Sequence, residues 1–225
     1  MKSIYEQALG EKFRLLHPRI QERFGFSSLD EVACVGTGTM DEVWHGALYT
    51  MPFLYVGSWR RIMFPEHGKA VPFTIRNYAY QDKFGRETVT WIRQFQTHRP
   101  RRFDAYMVFG QQRGRVVDYL GTHQHLAVDI DLSVDERGGL CLRSGAQRFY
   151  EGRISFSCPL DLSGVANVCE WYDDTDQRFH IEVNVLNRIW GPLFGYRGSF
   201  DVKWLPVKNT EIPVDILPFR CERRE

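Results

Sequence analysis

The chain has 225 residues, of which 43% are hydrophobic and 14% aromatic, and its formal net charge is +1. This length fits one large β-rich domain or at most two small ones, and the apolar content argues against disorder except at the ends. The near-zero net charge gives no general attraction to nucleic acid or to an anionic membrane.

Five cysteines are present, and no two of them have C-x-x-C spacing, which argues against a disulfide framework and a structural zinc site. Residues 1–25 are charged and amphipathic, unlike a signal peptide. The most apolar segment, residues 46–59, is shorter than the roughly 20 residues that cross a bilayer. These features predict a cytoplasmic protein with reduced cysteines and no membrane span.

The N-terminal third is predicted to be mostly helical. Ser3 begins a capping-box pattern, so a helix is expected over residues 3–24, interrupted at Pro18. Residues 32–40 are small and glycine-rich and are interpreted as a turn, because their Gly-Thr-Gly lacks the third glycine of a dinucleotide-binding motif. A second helical region is predicted over residues 41–63.

From Val71 onward, β-branched and aromatic residues alternate with polar ones, and turn signals recur at short intervals. Sequential strands joined by short loops predict an antiparallel meander. About ten such strands are too many for a flat sheet, so the sheet is expected to curl or close. The predicted strands cover residues 71–80, 87–98, 104–109, 116–120, 127–134, 140–143, 147–151, 165–173, 179–185 and 196–204.

The predicted fold class is therefore α+β, with N-terminal helices packed on a large antiparallel β-meander that curls into a barrel or half-barrel. We expect a single domain in which residues 1–70 are the helical part, residues 71–205 the meander and residues 206–225 an extended tail. The tail ends in a charged run and is expected to fray.

An arginine lies in the middle of the second predicted strand. Trp91, Arg93 and Phe95 share one face of this strand. If that face is inward, the guanidinium must be paired, because an unpaired buried charge is very costly. The partner is expected to be a structural carboxylate, such as Glu170 or Asp118, or the carboxylate or phosphate of a ligand.

Few other residues suggest chemistry. His123 and His125 would share a strand face as half of a metal site, but no third ligand follows at a fixed spacing, and an exposed loop is the alternative. Lys203 is the lysine within the predicted strands and lies on the polar face, which weakens a Schiff-base mechanism. No catalytic triad can be assembled, and neither a metal nor a cofactor is predicted.

Short motifs run through nearly the whole chain, from residue 3 to about residue 204. They are SIYEQALGEKFRLLHPRIQERFG at residues 3–25, GKAVPF at 68–73, W-x-R-x-F at 91–95, DYLG at 118–121, GGLCLRS at 138–144 and GPLFGYRGSF at 191–200. Together they resemble a bacterial domain-of-unknown-function family, whose members stand alone or follow saccharopine-dehydrogenase-like reductase domains. The resemblance implies a self-contained bacterial domain compatible with work beside an oxidoreductase, and it supplies no catalytic residues.

Three functions are consistent with these patterns. We favour non-enzymatic binding of a small apolar or amphipathic ligand inside the curled sheet, which requires a hollow interior. The second is an interaction module that docks to a reductase or to a second copy of the chain, through residues 41–63 or an open sheet edge. The third is an enzyme that uses Glu170 and Arg93 on a carbonyl or carboxylate substrate. The candidate ligand-binding residues are Arg93, Trp91, Phe95, Glu170, Phe179, Tyr196, Phe200 and Trp204.

Overall fold

The computed structural model describes residues 1–159, 163–208 and 211–225. The helices in these ranges are α1 (Ile4–Leu9), α2 (Pro18–Gly25) and α3 (Met51–Trp59), and short 3-10 helices cover Gly10–Leu15, Ser28–Asp30 and Leu48–Thr50. The strands are β1 (Val32–His45), β2 (Gly68–Gln81), β3 (Glu87–Phe95), β4 (Arg101–Gly110), β5 (Arg115–Leu120), β6 (Leu126–Val134), β7 (Leu140–Glu151), β8 (Ile154–Cys158), β9 (Val165–Asp173), β10 (Arg178–Asn187) and β11 (Gly191–Pro206).

The sheet closes into an antiparallel barrel, as the strand number predicted. Strands β1 to β7 pair in sequence order, β7 pairs with β9, and β11 pairs back with β1. The first residues of β7 pair with β9 and its last residues with β8, so β8 extends the wall beside the ring of ten strands. The two strands predicted over residues 140–143 and 147–151 are one strand, and β8 was not predicted.

The helices α1 and α2 close one end of the barrel, and the predicted break before Pro18 is confirmed. The predicted first helix is α-helical only to Leu9, because Gly10 has a positive φ and a 3-10 helix follows over Gly10–Leu15. The hydroxyl of Ser3 caps α1 by accepting a hydrogen bond from the Glu6 amide at 3.1 Å. The amide of His17 donates to the carbonyl of Gly138 in the β6–β7 turn at 2.8 Å. These contacts place the helical segment over the β6–β7 turn and against the strands of that end.

Residues 32–45 form strand β1, so the turn predicted at residues 32–40 and the helix predicted from residue 41 are wrong there. The glycines have a packing role instead. A Cβ on Gly36 would lie 2.6 Å from Cδ2 of Phe200, and a Cβ on Gly38 would lie 2.1 Å from the carbonyl oxygen of Ser199. Because glycine has no Cβ, Gly36 lets the ring of Phe200 approach, and Gly38 lets the backbone at Ser199 approach, more closely than any other residue would allow.

The C-terminal tail covers the outside of the barrel. Ile216 is fully buried in an outer apolar cluster with Ile92 and Tyr119. The amide of Glu222 donates to Oε1 of Gln124 at 2.8 Å, and the Glu222 side chain is buried. The predicted fraying is therefore wrong, because the last residues are held by hydrogen bonds and an apolar anchor.

Strand β3 has the predicted inward face. Val89, Trp91 and Phe95 belong to the main core, and Arg93 is 4% exposed. The opposite face of β3 is also buried, because the tail packs over it. In the described parts of the chain, no helix has the length and hydrophobicity needed to cross a membrane.

Candidate functional site

A cavity of about 500 Å³ lies inside the barrel beneath α3. This volume falls in the range of small-molecule pockets. One wall is aliphatic and comes from β5, β6, β7, β9 and β10, and the opposite wall carries Trp91, Arg93 and Phe103. The aliphatic side chains are Leu120, Leu126, Val128, Ile130, Leu142, Val168, Val183 and Val185.

Among the described residues of the cavity wall, Arg93 is the positively charged one, and strand β3 directs its side chain inward. Its Nη1 donates to the hydroxyl of Tyr196 at 3.2 Å, and its Cζ lies 3.8 Å from the ring centroid of Phe103. Both partners are neutral. Its Nε has no hydrogen-bond partner among the described residues.

Asp118 on β5 lines the same cavity and is 6% exposed. Burial raises the pKa of its carboxyl to about 7, although the charge of Arg93 and a hydrogen bond from the Tyr106 amide both lower it. Its Oδ1 has no partner within the described chain. Sequence reasoning named Asp118 as a structural partner of Arg93 and not as a ligand-binding residue.

The remaining buried polar side chains of the wall are engaged. Ser144 Oγ accepts a hydrogen bond from the Ala166 amide at 2.8 Å, and Gln147 Nε2 donates to the carbonyl of Gly164 at 2.6 Å. These bonds tie β7 to the start of β9. Across the described lining, the buried side-chain atoms left without a partner belong to Arg93 and Asp118.

Glu170 has a different partner from the one predicted. It forms a bidentate ion pair with Arg23 of α2, and the second contact, from Nη2 to Oε2, is 3.3 Å. Both side chains are fully buried, and Arg23 Nη1 also lies 2.9 Å from Cys34 Sγ. Burial raises the pKa of Glu170, and Arg23 opposes this. Glu170 does not line the cavity, so the enzyme hypothesis lacks the shared pocket that it requires.

The other predicted ligand-binding residues divide in two. Trp91 lines the cavity, and its Nε1 donates to the hydroxyl of Tyr5 at 2.7 Å. The rest contribute to the packed part of the interior or to its rim and not to the cavity wall: Phe95, Phe179, Tyr196, Phe200 and Trp204. Arg93, Trp91 and Asp118 therefore line one cavity. Tyr196 lies outside the cavity wall and accepts a hydrogen bond from Arg93.

The mouth of the cavity is apolar. Phe53 and Val56 of α3 line the cavity and are also exposed to solvent, by 61% and 68%. Trp190 in the β10–β11 turn also lines the cavity, and its ring packs edge-on against that of Phe53 with centroids 6.0 Å apart. Its carbonyl accepts a hydrogen bond from the hydroxyl of Tyr49. A short helix and one turn thus cover the opening.

The two histidines that suggested half of a metal site lie in and beside the β5–β6 turn. The rings of His123 and His125 stack with centroids 5.4 Å apart. Arg60 Nη1 is 3.2 Å from Nδ1 of His123, and Arg220 Nη1 is 2.9 Å from Nδ1 of His125. Glu151 Oε2 also lies 2.7 Å from Nδ1 of His125, so the near ring nitrogens of both histidines already have protein partners. Burial followed by Arg60 lowers the pKa of His123.

A surface group formed by Asp173, Asp176 and His180 has its ligand atoms within 4.8 Å of one another. Hydrogen bonds of the β9–β10 turn explain this arrangement. The Thr175 amide donates to Asp173 Oδ1 at 2.8 Å, and the Arg178 amide donates to Asp176 Oδ1 at 3.1 Å. We therefore interpret the group as turn structure.

Cys141 on β7 and Cys169 on β9 face each other across paired strands and form a disulfide with a Cα–Cα distance of 4.2 Å. The expectation that every cysteine is reduced is therefore wrong for this pair. The spacing of 28 residues gave no local signal, because the two strands meet only when the barrel forms. Since stable disulfides are uncommon in the cytosol, the cytoplasmic location stays a prediction.

The sequence comparisons agree with the fold-wide resemblance. Residues 16–200 match the model of the family described as domain of unknown function (DUF4166). The chain is similar to the uncharacterized protein YndH of Bacillus subtilis (strain 168), with 34% identity over 201 residues, which is 89% of this chain and 97% of the relative. No solved structure matches the chain. On the extent of these matches, the chain belongs to the DUF4166 family of domains of unknown function.

Proposed function

We propose that the barrel binds a small apolar or amphipathic ligand in the cavity beneath α3. The main support is an aliphatic wall in the same cavity as two buried polar atoms that have no partner among the described residues, Arg93 Nε and Asp118 Oδ1. Folded proteins normally satisfy their buried polar groups, so these atoms are expected to contact a bound molecule. The aliphatic wall would take the apolar part of the ligand, and Arg93 would hold its polar end.

Native mass spectrometry of gently purified protein tests this proposal. We expect an adduct that denaturation releases, and at least about tenfold less of it in Arg93→Met, because a hydrogen bond to a charged group is lost. Arg197→Met is the matched control, since the Arg197 side chain is 59% exposed and pairs with Glu42 on the outside. A bare chain that also fails to bind the apolar dye Nile red contradicts the proposal.

The apolar surface around the cavity mouth favours a second function. Phe53, Val56 and Trp59 of α3 are all highly exposed, Trp59 by 87%. Monomeric proteins seldom expose large contiguous apolar patches unless a partner or ligand covers them. The alternative proposal is therefore that α3 docks against a second copy of the chain or against an oxidoreductase partner.

Sedimentation over a range of protein concentrations tests self-association. We expect a dimer whose dissociation constant rises at least about tenfold in Phe53→Ser/Trp59→Ser, because central aromatic side chains carry most interface energy. Val214→Ser is the control, because Val214 is 83% exposed but lies in the tail. A wild-type chain that stays monomeric at every concentration argues against the dimer.

A further inference from the structure

The two buried polar side chains of the cavity wall, Arg93 and Asp118, restrict the chemistry of its ligand. This inference rests on the proposed ligand binding. Arg93 and Asp118 line the same cavity at 4% and 6% exposure, and no direct ion pair joins them. Each leaves one atom without a partner in the described structure, Nε and Oδ1. We propose that the ligand is a single-chain monocarboxylic acid whose carboxyl group lies between these two atoms and shares one proton with Asp118.

The guanidinium of Arg93 requires a negative charge that the protein supplies only in part. Its charge is permanent, and its direct contacts, the Tyr196 hydroxyl and the Phe103 ring, are neutral. The acidic side chain that interacts electrostatically with this guanidinium is Asp118, and burial raises the pKa of Asp118 to about 7. A large share of Asp118 is therefore protonated at neutral pH, which leaves a buried cation without a full counter-charge. An anionic ligand supplies the missing negative charge.

A carboxyl group fits this arrangement better than other head groups. One of its oxygens accepts a hydrogen bond from Arg93 Nε, and the other meets the protonated Oδ1 of Asp118. An amine would be repelled by Arg93. A phosphate would bring a second negative charge, and the described cavity wall holds no further Lys, Arg or His to balance it.

The rest of the wall suits one hydrocarbon chain. Leu126, Val128 and Ile130 on β6 and Leu142 on β7 form a continuous aliphatic surface beyond Asp118. The volume of about 500 Å³ is in the lower half of the range for ligand pockets, which favours one chain over two. Each further methylene that enters the cavity is expected to tighten binding about fourfold.

Proton sharing makes the affinity depend on pH. The charged group that faces Asp118 is Arg93 on β3, and α1 contributes the phenol of Tyr5, which burial keeps neutral by raising its pKa. The residues that pair with Asp118, Met107 on β4 and Val128 on β6, carry no charge. Below about pH 7 Asp118 already holds the proton, so affinity is flat. Above it, binding takes one proton from solvent, and affinity falls by up to about tenfold per pH unit.

Calorimetric titration with dodecanoate between about pH 6 and about pH 9, in two buffers that differ in ionisation enthalpy, tests the proposal. We expect uptake of close to one proton per ligand at the upper pH. Asp118→Asn is expected to keep binding, because its amide donates to the carboxylate, and to lose the proton uptake and the pH dependence. Asp131→Asn is the control, since Asp131 lies on the exposed face of β6 with its side chain 62% exposed.

Dodecanol separates this inference from the proposed function. If dodecanol binds and dodecanoate does not, or if dodecanoate binds without proton uptake, the carboxyl assignment is overturned and the ligand-binding function stands. If neither binds and the purified protein carries no adduct, both fail. Dodecanoate binding whose proton uptake persists unchanged in Asp118→Asn also overturns the assignment, because another group then takes the proton.

Discussion

Glu170→Ala is expected to lower the free energy of unfolding by about 3–5 kcal/mol, because it leaves the charge of Arg23 buried without its partner. Both side chains are almost fully excluded from solvent, at 1% and 0% exposure. The loss is large against the total stability of a typical domain, which is roughly 5–15 kcal/mol. Equilibrium unfolding in urea, monitored by tryptophan fluorescence, measures it.

The position of this pair explains the size of the effect. Arg23 lies on α2, which closes one end of the barrel, and Glu170 lies on β9 in the wall. The guanidinium also lies over the rings of Phe24 and Phe200, at 5.4 and 5.1 Å from their centroids. A lone guanidinium there has no route to water unless α2 moves away from the barrel.

Three variants separate charge burial from lost packing. Arg23→Met/Glu170→Leu is expected to recover most of the stability, since removing both charges removes the cost of burying either. Glu42→Ala breaks an exposed pair with Arg197 and should cost less than about 1 kcal/mol. If Glu170→Ala costs no more than Glu42→Ala, the ion pair does not hold α2 in place. Glu170→Gln serves if the alanine variant does not fold.

The sequence predicted the curled antiparallel sheet and the inward face of β3, because a two-residue period depends only on neighbours along the chain. It misread Gly36 and Gly38 as part of a turn. Whether a glycine ends a strand or lets another segment approach depends on what packs over it, here Phe200 and the carbonyl of Ser199. That information lies far away in the chain.

The candidate site shows the same limit. The alternation of β-branched and aromatic residues with polar ones from Val71 onward indicated strands with one apolar face, and Arg93 stood out between aromatics. The partner of Glu170 could not be read, since Arg23 is 147 residues away in the chain. The sequence did not identify Asp118 as a residue of the cavity wall. The tail buries the outer face of β5 as well, so this strand lacks a regular alternation of apolar and polar residues.

Filling the cavity is expected to abolish ligand binding without unfolding the protein. Val128 on β6 and Val183 on β10 line the cavity, and both are nearly fully buried. In Val128→Phe/Val183→Phe the two rings occupy space that the ligand requires, so we expect affinity for dodecanoate or Nile red to fall at least about a hundredfold. The free energy of unfolding should rise or stay within about 1 kcal/mol, because filling an apolar void restores dispersion contacts.

Val89→Phe is the matched control, because Val89 on β3 is as buried as Val183 but lies in the packed core and not on the cavity wall. An added ring there forces its neighbours apart and should cost about 1–3 kcal/mol, with ligand affinity retained. If the interior is hollow only beneath α3, Val128→Phe/Val183→Phe loses ligand affinity and keeps its stability, whereas Val89→Phe keeps ligand affinity and loses stability. Calorimetric titration and urea unfolding of both variants measure these two quantities. Equal destabilisation at the two places would mean that the space between Val128 and Val183 is filled in solution, and the binding proposal would then lose its physical basis.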